Sequence, residues 1–322
     1  MPRKFLIDTD TASDDAVALL MALRWPDVEV VGITVVVGNV SLDQCVTNAL
    51  YSAEVAGQPD VPVYRGAAQP LLRKHVSGDW FHGRDGMGNM HYPAPQRQPQ
   101  DKHAVQAIID TIRANPGLEL VTLGPLTNIA LAIRQAPDIV PLVSRCVVMG
   151  GAANVVGNVT PAAEFNIWVD PEAAQMVFLS GLPIEMVGWE LCRKEAALTD
   201  DEMTLIRGFN TPLADFALDC NKRAIEANYE QSHERGLALA DPVAMAVALD
   251  PTICTRRSKH RVMIETQSEL TRGMTVVDAL DVTPDLRNRE TWQPLSTGEP
   301  NVSVCWEIDV PRWKEALYSV LR

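Results

Sequence analysis

The chain has 322 residues, 47% of them hydrophobic and 21% charged, and a net charge of -13 from 41 acidic and 28 basic side chains. Such a balance describes a globular protein whose surface repels phosphate backbones and anionic membranes, which argues against a nucleic-acid or membrane partner. No apolar run is long enough to span a bilayer, no signal-peptide core follows Met1 to Lys4, and the six cysteines (Cys45, Cys146, Cys192, Cys220, Cys254, Cys305) form no CxxC pair, so a reduced, cytoplasmic protein is expected.

Residues 4–7 read as a first strand and residues 14–24, with apolar side chains at helical spacing, as a first helix. The β-branched run 28–37 is strand-like and 42–56 is helical. Further buried strands are expected at 61–64, 118–123, 146–149 and 184–187, alternating with helices at 104–114, 128–135 and 171–179. Residues 65–101 interrupt this rhythm with a long segment rich in Gly, His and Pro, the composition of a functional loop. The second half reads as helical at roughly 213–235 and 242–249, β-type at 261–265 and 302–308, and helical again at 311–321. A βαβα rhythm of this kind predicts an α/β fold, one domain over residues 1–322, with a mainly parallel central sheet flanked by helices. No linker or internal repeat divides it.

The chemistry concentrates at the end of the first strand, in Asp8-Thr9-Asp10-Thr11-Ala12-Ser13-Asp14-Asp15. Four carboxylates fall on the turn between a buried strand and a helix, at the sheet edge where open α/β folds bind ligands. Helix capping accounts for one of them, Ser13, Asp14 or Asp15 being favourable at a helix start, but not for four. Carboxylates sharing a small site repel one another unless a cation compensates, and an all-oxygen donor set suits a hard ion, Ca²⁺ or Mg²⁺.

Asp8-Thr9-Asp10 with Asp14-Asp15 resembles the DxDxxxDD signature of the inosine–uridine nucleoside hydrolase family. Further segments match that family in order: Gly38-Asn39-Val40-Ser41, His82-Gly83-Arg84-Asp85-Gly86, Gly124-Pro125-Leu126-Thr127-Asn128, Met149-Gly150-Gly151, the run from Gly157-Asn158 through Glu164-Phe165-Asn166 to Val169-Asp170-Pro171, Asp241-Pro242, and Gly273 through Asp278. The resemblance implies a nucleoside-hydrolase-like fold and hydrolysis of the N-glycosidic bond of ribonucleosides. It implies Ca²⁺ held by Asp10, Asp15, Asp241 and the Leu123 carbonyl, with Asp10 also the general base for water. It further implies that Asp14, Asn39, Asn158, Glu164 and Asn166 hold the ribose hydroxyls, that Met149 packs near the sugar, and that the small-molecule nucleoside is bound by a homo-oligomer, a dimer or tetramer. Carboxylates and amide oxygens around the sugar suit a reaction passing through an oxocarbenium-like cation.

The sequence departs from that family at one important place. Many members carry His immediately before the last metal-binding Asp, where it protonates the leaving base; here the position is Ala240. Candidates to supply the proton are His82, Tyr229 and His233, while Trp80 and Phe81 are candidates to stack on the base. Glu190 stands where Asp is common. Two other readings compete: a non-catalytic nucleoside- or ribose-binding protein that has lost its acid, and an aspartate-dependent phosphatase using Asp8 and Asp10.

Overall fold

Strand β1 (Arg3–Thr9) is the centre from which the sheet grows in both directions, pairing in parallel with β2 (Val28–Val35) on one side and β4 (Glu119–Thr122) on the other. Beyond β2 lies β3 (Val63–Arg65); beyond β4 follow β5 (Arg145–Met149), β6 (Ile184–Val187) and β10 (Val302–Ile308), all parallel. Strand β7 (Cys254–His260) closes the far edge antiparallel to β10, giving the order β3-β2-β1-β4-β5-β6-β10-β7. A separate antiparallel pair joins β8 (Val262–Ile264) to β9 (Thr275–Val277). The structure, a computed structural model, describes residues 2–285, 287 and 299–322.

The chain moves outward from β1 to β3 and then returns to place β4 on the opposite side of β1. That reversal opens a crevice beyond the carboxyl ends of β1 and β4, where doubly wound sheets bind ligands. Two-residue alternation sends Phe5, Ile7, Val121 and Val147 into one apolar layer, and Leu6, Leu120, Cys146 and Val148 into the other. The first layer packs on α1 (Ser13–Arg24), α2 (Leu42–Val55), α11 (Ala240–Leu249) and the last helix, Val310–Leu321. The second packs on α4 (Ala104–Ala114), α5 (Thr127–Gln135) and α7 (Pro171–Phe178).

The long segment after β3 is mostly irregular, with one short helix, α3 (Asp79–His82). Another short helix, α6 (Phe165–Val169), precedes α7. Residues 213–235 are two helices rather than one, α9 (Pro212–Asp219) and α10 (Lys222–Ser232), because Asn221 turns its amide back on the Ala217 carbonyl at 2.9 Å and on the Ser13 carbonyl at 3.1 Å. Helix α8 (Asp200–Arg207), not expected from apolar spacing, starts on a capping box in which Thr199 and Glu202 satisfy each other's backbone N–H groups. Strand β7 also escaped the sequence reading, since its Thr255 to Lys259 side chains are exposed and show no alternation. Among the described residues, no helix is long and apolar enough to cross a membrane.

Candidate active site

The four carboxylates after β1 divide by role. Asp8 is still within the strand and fully buried; its Oδ1 accepts from Thr34 Oγ1 at 2.5 Å and from Asn128 Nδ2 at 2.9 Å, tying β1 to β2 and α5. Burial pushes its pKa up to about 7, partly offset by those two bonds. It does not line the cleft, so the phosphatase reading has no exposed nucleophile there.

Asp10 lies just past the strand, where the Asn39 N–H donates to its Oδ2 at 2.7 Å. Its Oδ1 is buried with no hydrogen-bond partner. Glycines let the backbone approach this carboxylate from both sides: a Cβ on Gly124 would lie 2.5 Å from Asp10 Oδ1, and one on Gly38 would collide with Oδ2. Asp15 is fixed in the first turn of α1 by Thr9 Oγ1 at 2.5 Å and by the Ala12 N–H at 2.9 Å. Asp241 enters from the first turn of α11. Asp14, Asp15 and Asp241 bring one carboxylate oxygen each to within 4.8 Å of one another. Burial first, and mutual repulsion second, push Asp10 and Asp241 well above the usual carboxylate range and Asp15 up to about 7. A cation is the natural relief for such a cluster.

Above it lies a cleft of about 820 Å³, including space open to solvent. Asp14, Leu123 and Asp241 line its floor, Asp10 and Asp15 sitting fully buried beneath. Asn39, Met149, Asn158, Glu164 and Asn166 line it as well, and so do Trp80, Phe81 and His82. Glu164 caps α6: its carboxylate accepts from the N–H groups of Gly151 and Asn166, both at 2.8 Å, and of Ile167 at 3.2 Å. Burial raises its pKa to about 7 against those donors. Asn166 in turn donates to the Leu123 carbonyl at 2.8 Å and to Met149 Sδ at 3.2 Å, and the Asn158 side chain accepts from the Phe165 N–H at 2.9 Å. One short helix start therefore organises three of the expected sugar contacts.

His82 is buried, its Nδ1 2.8 Å from Ser13 Oγ and 3.8 Å from Asp14 Oδ1. His233 is elsewhere: it is an exposed residue ending α10 in a left-handed conformation (φ 58°), it does not line the cleft, and its ring lies 6.2 Å from that of Tyr229. Helix α10 presents Asn228 and Gln231 to the cleft instead. Sequence reasoning missed these two, together with Trp189, Cys192 and Ala238, which complete the wall around Ala240. Glu190 does not line the cleft; it accepts from the Ala153 N–H at 3.3 Å and is pushed by burial up to about 7.

The family profile described as "Inosine-uridine preferring nucleoside hydrolase" matches residues 5–315. The chain belongs to that family. It is 42% identical over 281 residues to the inosine-uridine preferring nucleoside hydrolase of Leishmania major, covering 86% of this chain and 88% of the relative. Among solved structures, the plant nucleoside hydrolase PpNRh1 superposes with a TM-score of 0.91 at 30% identity, covering 100% of this chain and 99% of that one. A purine-preferring ribonucleoside hydrolase from Gardnerella vaginalis superposes with a TM-score of 0.88 at 33% identity, covering 99% and 98%. The chain is thus an enzyme of the nucleoside hydrolase family, a metal-dependent one, with its acidic cluster where a metal can bind.

Proposed function

We propose that this nucleoside hydrolase cleaves ribonucleosides to free base and ribose with Ca²⁺ held by Asp10, Asp15, Asp241 and the Leu123 carbonyl. The observation that carries this reading is Asp10 Oδ1, a buried carboxylate oxygen without a partner beside two further buried carboxylates. Such an atom is costly unless a cation or a water proton meets it. The donors are all oxygen, as a hard divalent ion requires. When bound, the ion supplies positive charge that lowers the pKa of a coordinated water.

The chain's own residues do the rest. Asp10 takes the proton of the attacking water, its orientation set by the Asn39 N–H. Asp14, Asn39, Asn158 and Asn166 hold the ribose hydroxyls, and Met149 packs under the sugar. The Glu164 carboxylate lies where positive charge grows on the ribose, so it favours the transition state over the ground state. His82, on the cleft wall next to Asp14, is the side chain placed to assist the departing base, and Trp80 and Phe81 flank it with ring centroids 5.4 Å apart.

The test is Asp10→Asn, which keeps the carbonyl that accepts from Asn39 and removes the base. Ribose release from inosine and uridine is expected to fall by on the order of 100-fold or more. A variant retaining near-parental kcat would overturn the assignment.

A further inference from the structure

We infer that the leaving-group wall of this cleft is suited to ribosides of cationic heterocycles, N-ribosyl pyridiniums and N7-alkylated purine ribosides, whose ring departs as a neutral molecule. The inference rests on the riboside hydrolysis proposed above and names its substrate class.

The wall around Ala240 is built from Ala238, the Trp189 indole, Cys192 and the uncharged amides of Asn228 and Gln231. Among the described residues, the titratable side chains lining the cleft are Asp14, His82, Glu164, Cys192 and Asp241. Three are carboxylates committed to the floor and the sugar. The Cys192 thiol donates to the Trp189 carbonyl at 3.0 Å, and burial makes it a poorer acid than a free thiol. His82 shares its Nδ1 with Ser13 Oγ. The wall itself therefore offers no acid beyond that thiol, and a neutral nucleoside depends on the single imidazole of His82, beside Asp14, or must expel its base as an anion.

A cationic aglycone has no such requirement. The C1′–N bond breaks with its electron pair left on the ring nitrogen, which becomes neutral; the oxygen of water bonds to C1′; and the proton lost by that water is released, one per turnover. The positive charge moves from a ring against two alanine methyl groups and an indole to a sugar beside Glu164 and Asp14. An uncharged wall at the start of that path and carboxylates at its end lower the barrier, because the gain is made only as the bond breaks. Beside the wall, Arg193 stacks 4.4 Å from the Trp189 ring centre and is paired with Glu234 at 2.6 Å.

The experiment is a steady-state comparison on the metal-loaded enzyme of two matched pairs, N-ribosyl nicotinamide with uridine and 7-methylinosine with inosine, beside 4-nitrophenyl riboside. Each rate is divided by that of the same compound with Ala240→His, which cancels intrinsic reactivity. The parent is expected to favour the cation of each pair by at least about tenfold in kcat/KM. Ala240→His should shrink that preference by at least about tenfold, raising the neutral member and slowing the cation. Equal kcat/KM within each pair, or a preference unmoved by Ala240→His, overturns the inference and leaves nucleoside hydrolysis standing. Failure to cleave any of the five compounds would instead overturn the reading on which it rests.

Discussion

Arg145→Met removes one of the two arginines, the other being Arg3, that hold α11 in place at the end opposite the cleft. Arg145, at the start of β5, donates from Nη1 to the Ala248 carbonyl at 3.1 Å and from Nη2 to the Val247 carbonyl at 3.0 Å, the unsatisfied last turn of α11. The same guanidinium pairs with Glu185 at 2.7 Å, where the side chains are only 16% and 6% exposed. Without Arg145 the Glu185 carboxylate is left buried with only Arg257, 3.6 Å away, and the Val247 carbonyl loses its side-chain donor, while Ala248 keeps Arg3 at 3.0 Å. Breaking one side of a buried ion pair costs about 3–5 kcal/mol. For a chain of this length, at roughly 2 °C per kcal/mol, the melting midpoint should fall by about 6–10 °C. Helix α11 carries Asp241 at its other end, so kcat/KM should fall together with stability. Denaturant unfolding and steady-state hydrolysis of inosine measure both, and the pair Arg145→Met with Glu185→Gln should recover part of the stability. A loss below about 1 kcal/mol, the range of an exposed pair, would refute the reasoning.

Gly124→Ala forces a methyl group to 2.5 Å from Asp10 Oδ1; kcat/KM is expected to drop on the order of 100-fold with the circular dichroism spectrum unchanged. Inosine should be preferred to 2′-deoxyinosine by on the order of 100-fold or more in kcat/KM, because the polar groups assigned to the ribose are left unmatched without the hydroxyl. His233→Ala should change inosine turnover by less than about twofold, whereas His82→Ala should lower it by on the order of 100-fold; steady-state rates of the two variants decide.

Much of the fold was legible because its core strands are buried on both faces and read as short β-branched runs separated by helices of clear apolar spacing. The strand–turn–helix pattern of β1 and α1 by itself puts the acidic cluster at the sheet edge. What stayed hidden depended on tertiary context. Nothing in the local pattern of Thr255 to Lys259 marks an edge strand, since its exposed face needs no alternation. The break at Asn221 depends on a bond to Ser13, far away in sequence. Asp8 looked like a fourth site carboxylate, yet it shares the parity of Leu6 and points into the layer where Thr34 and Asn128 meet it.

The leaving-group wall was the least legible part of the site, for a reason of helical phase. Tyr229 and His233 drew attention by residue type, but Ala224 and Ala227 mark the buried face of α10, and Asn228 and Gln231 continue along it. Small buried residues at helical spacing were the available signal. Cys192 and Trp189 carried none, because they reach the cleft from a short turn after β6.

The most direct test of the account is ribose release from inosine and uridine by the purified protein after exhaustive chelation, before and after Ca²⁺ is restored. Buried carboxylates at Asp10, Asp15 and Asp241, with one oxygen of Asp10 unmatched, predict that turnover vanishes on chelation and returns with Ca²⁺. Full turnover by protein shown by metal analysis to hold no ion would contradict it.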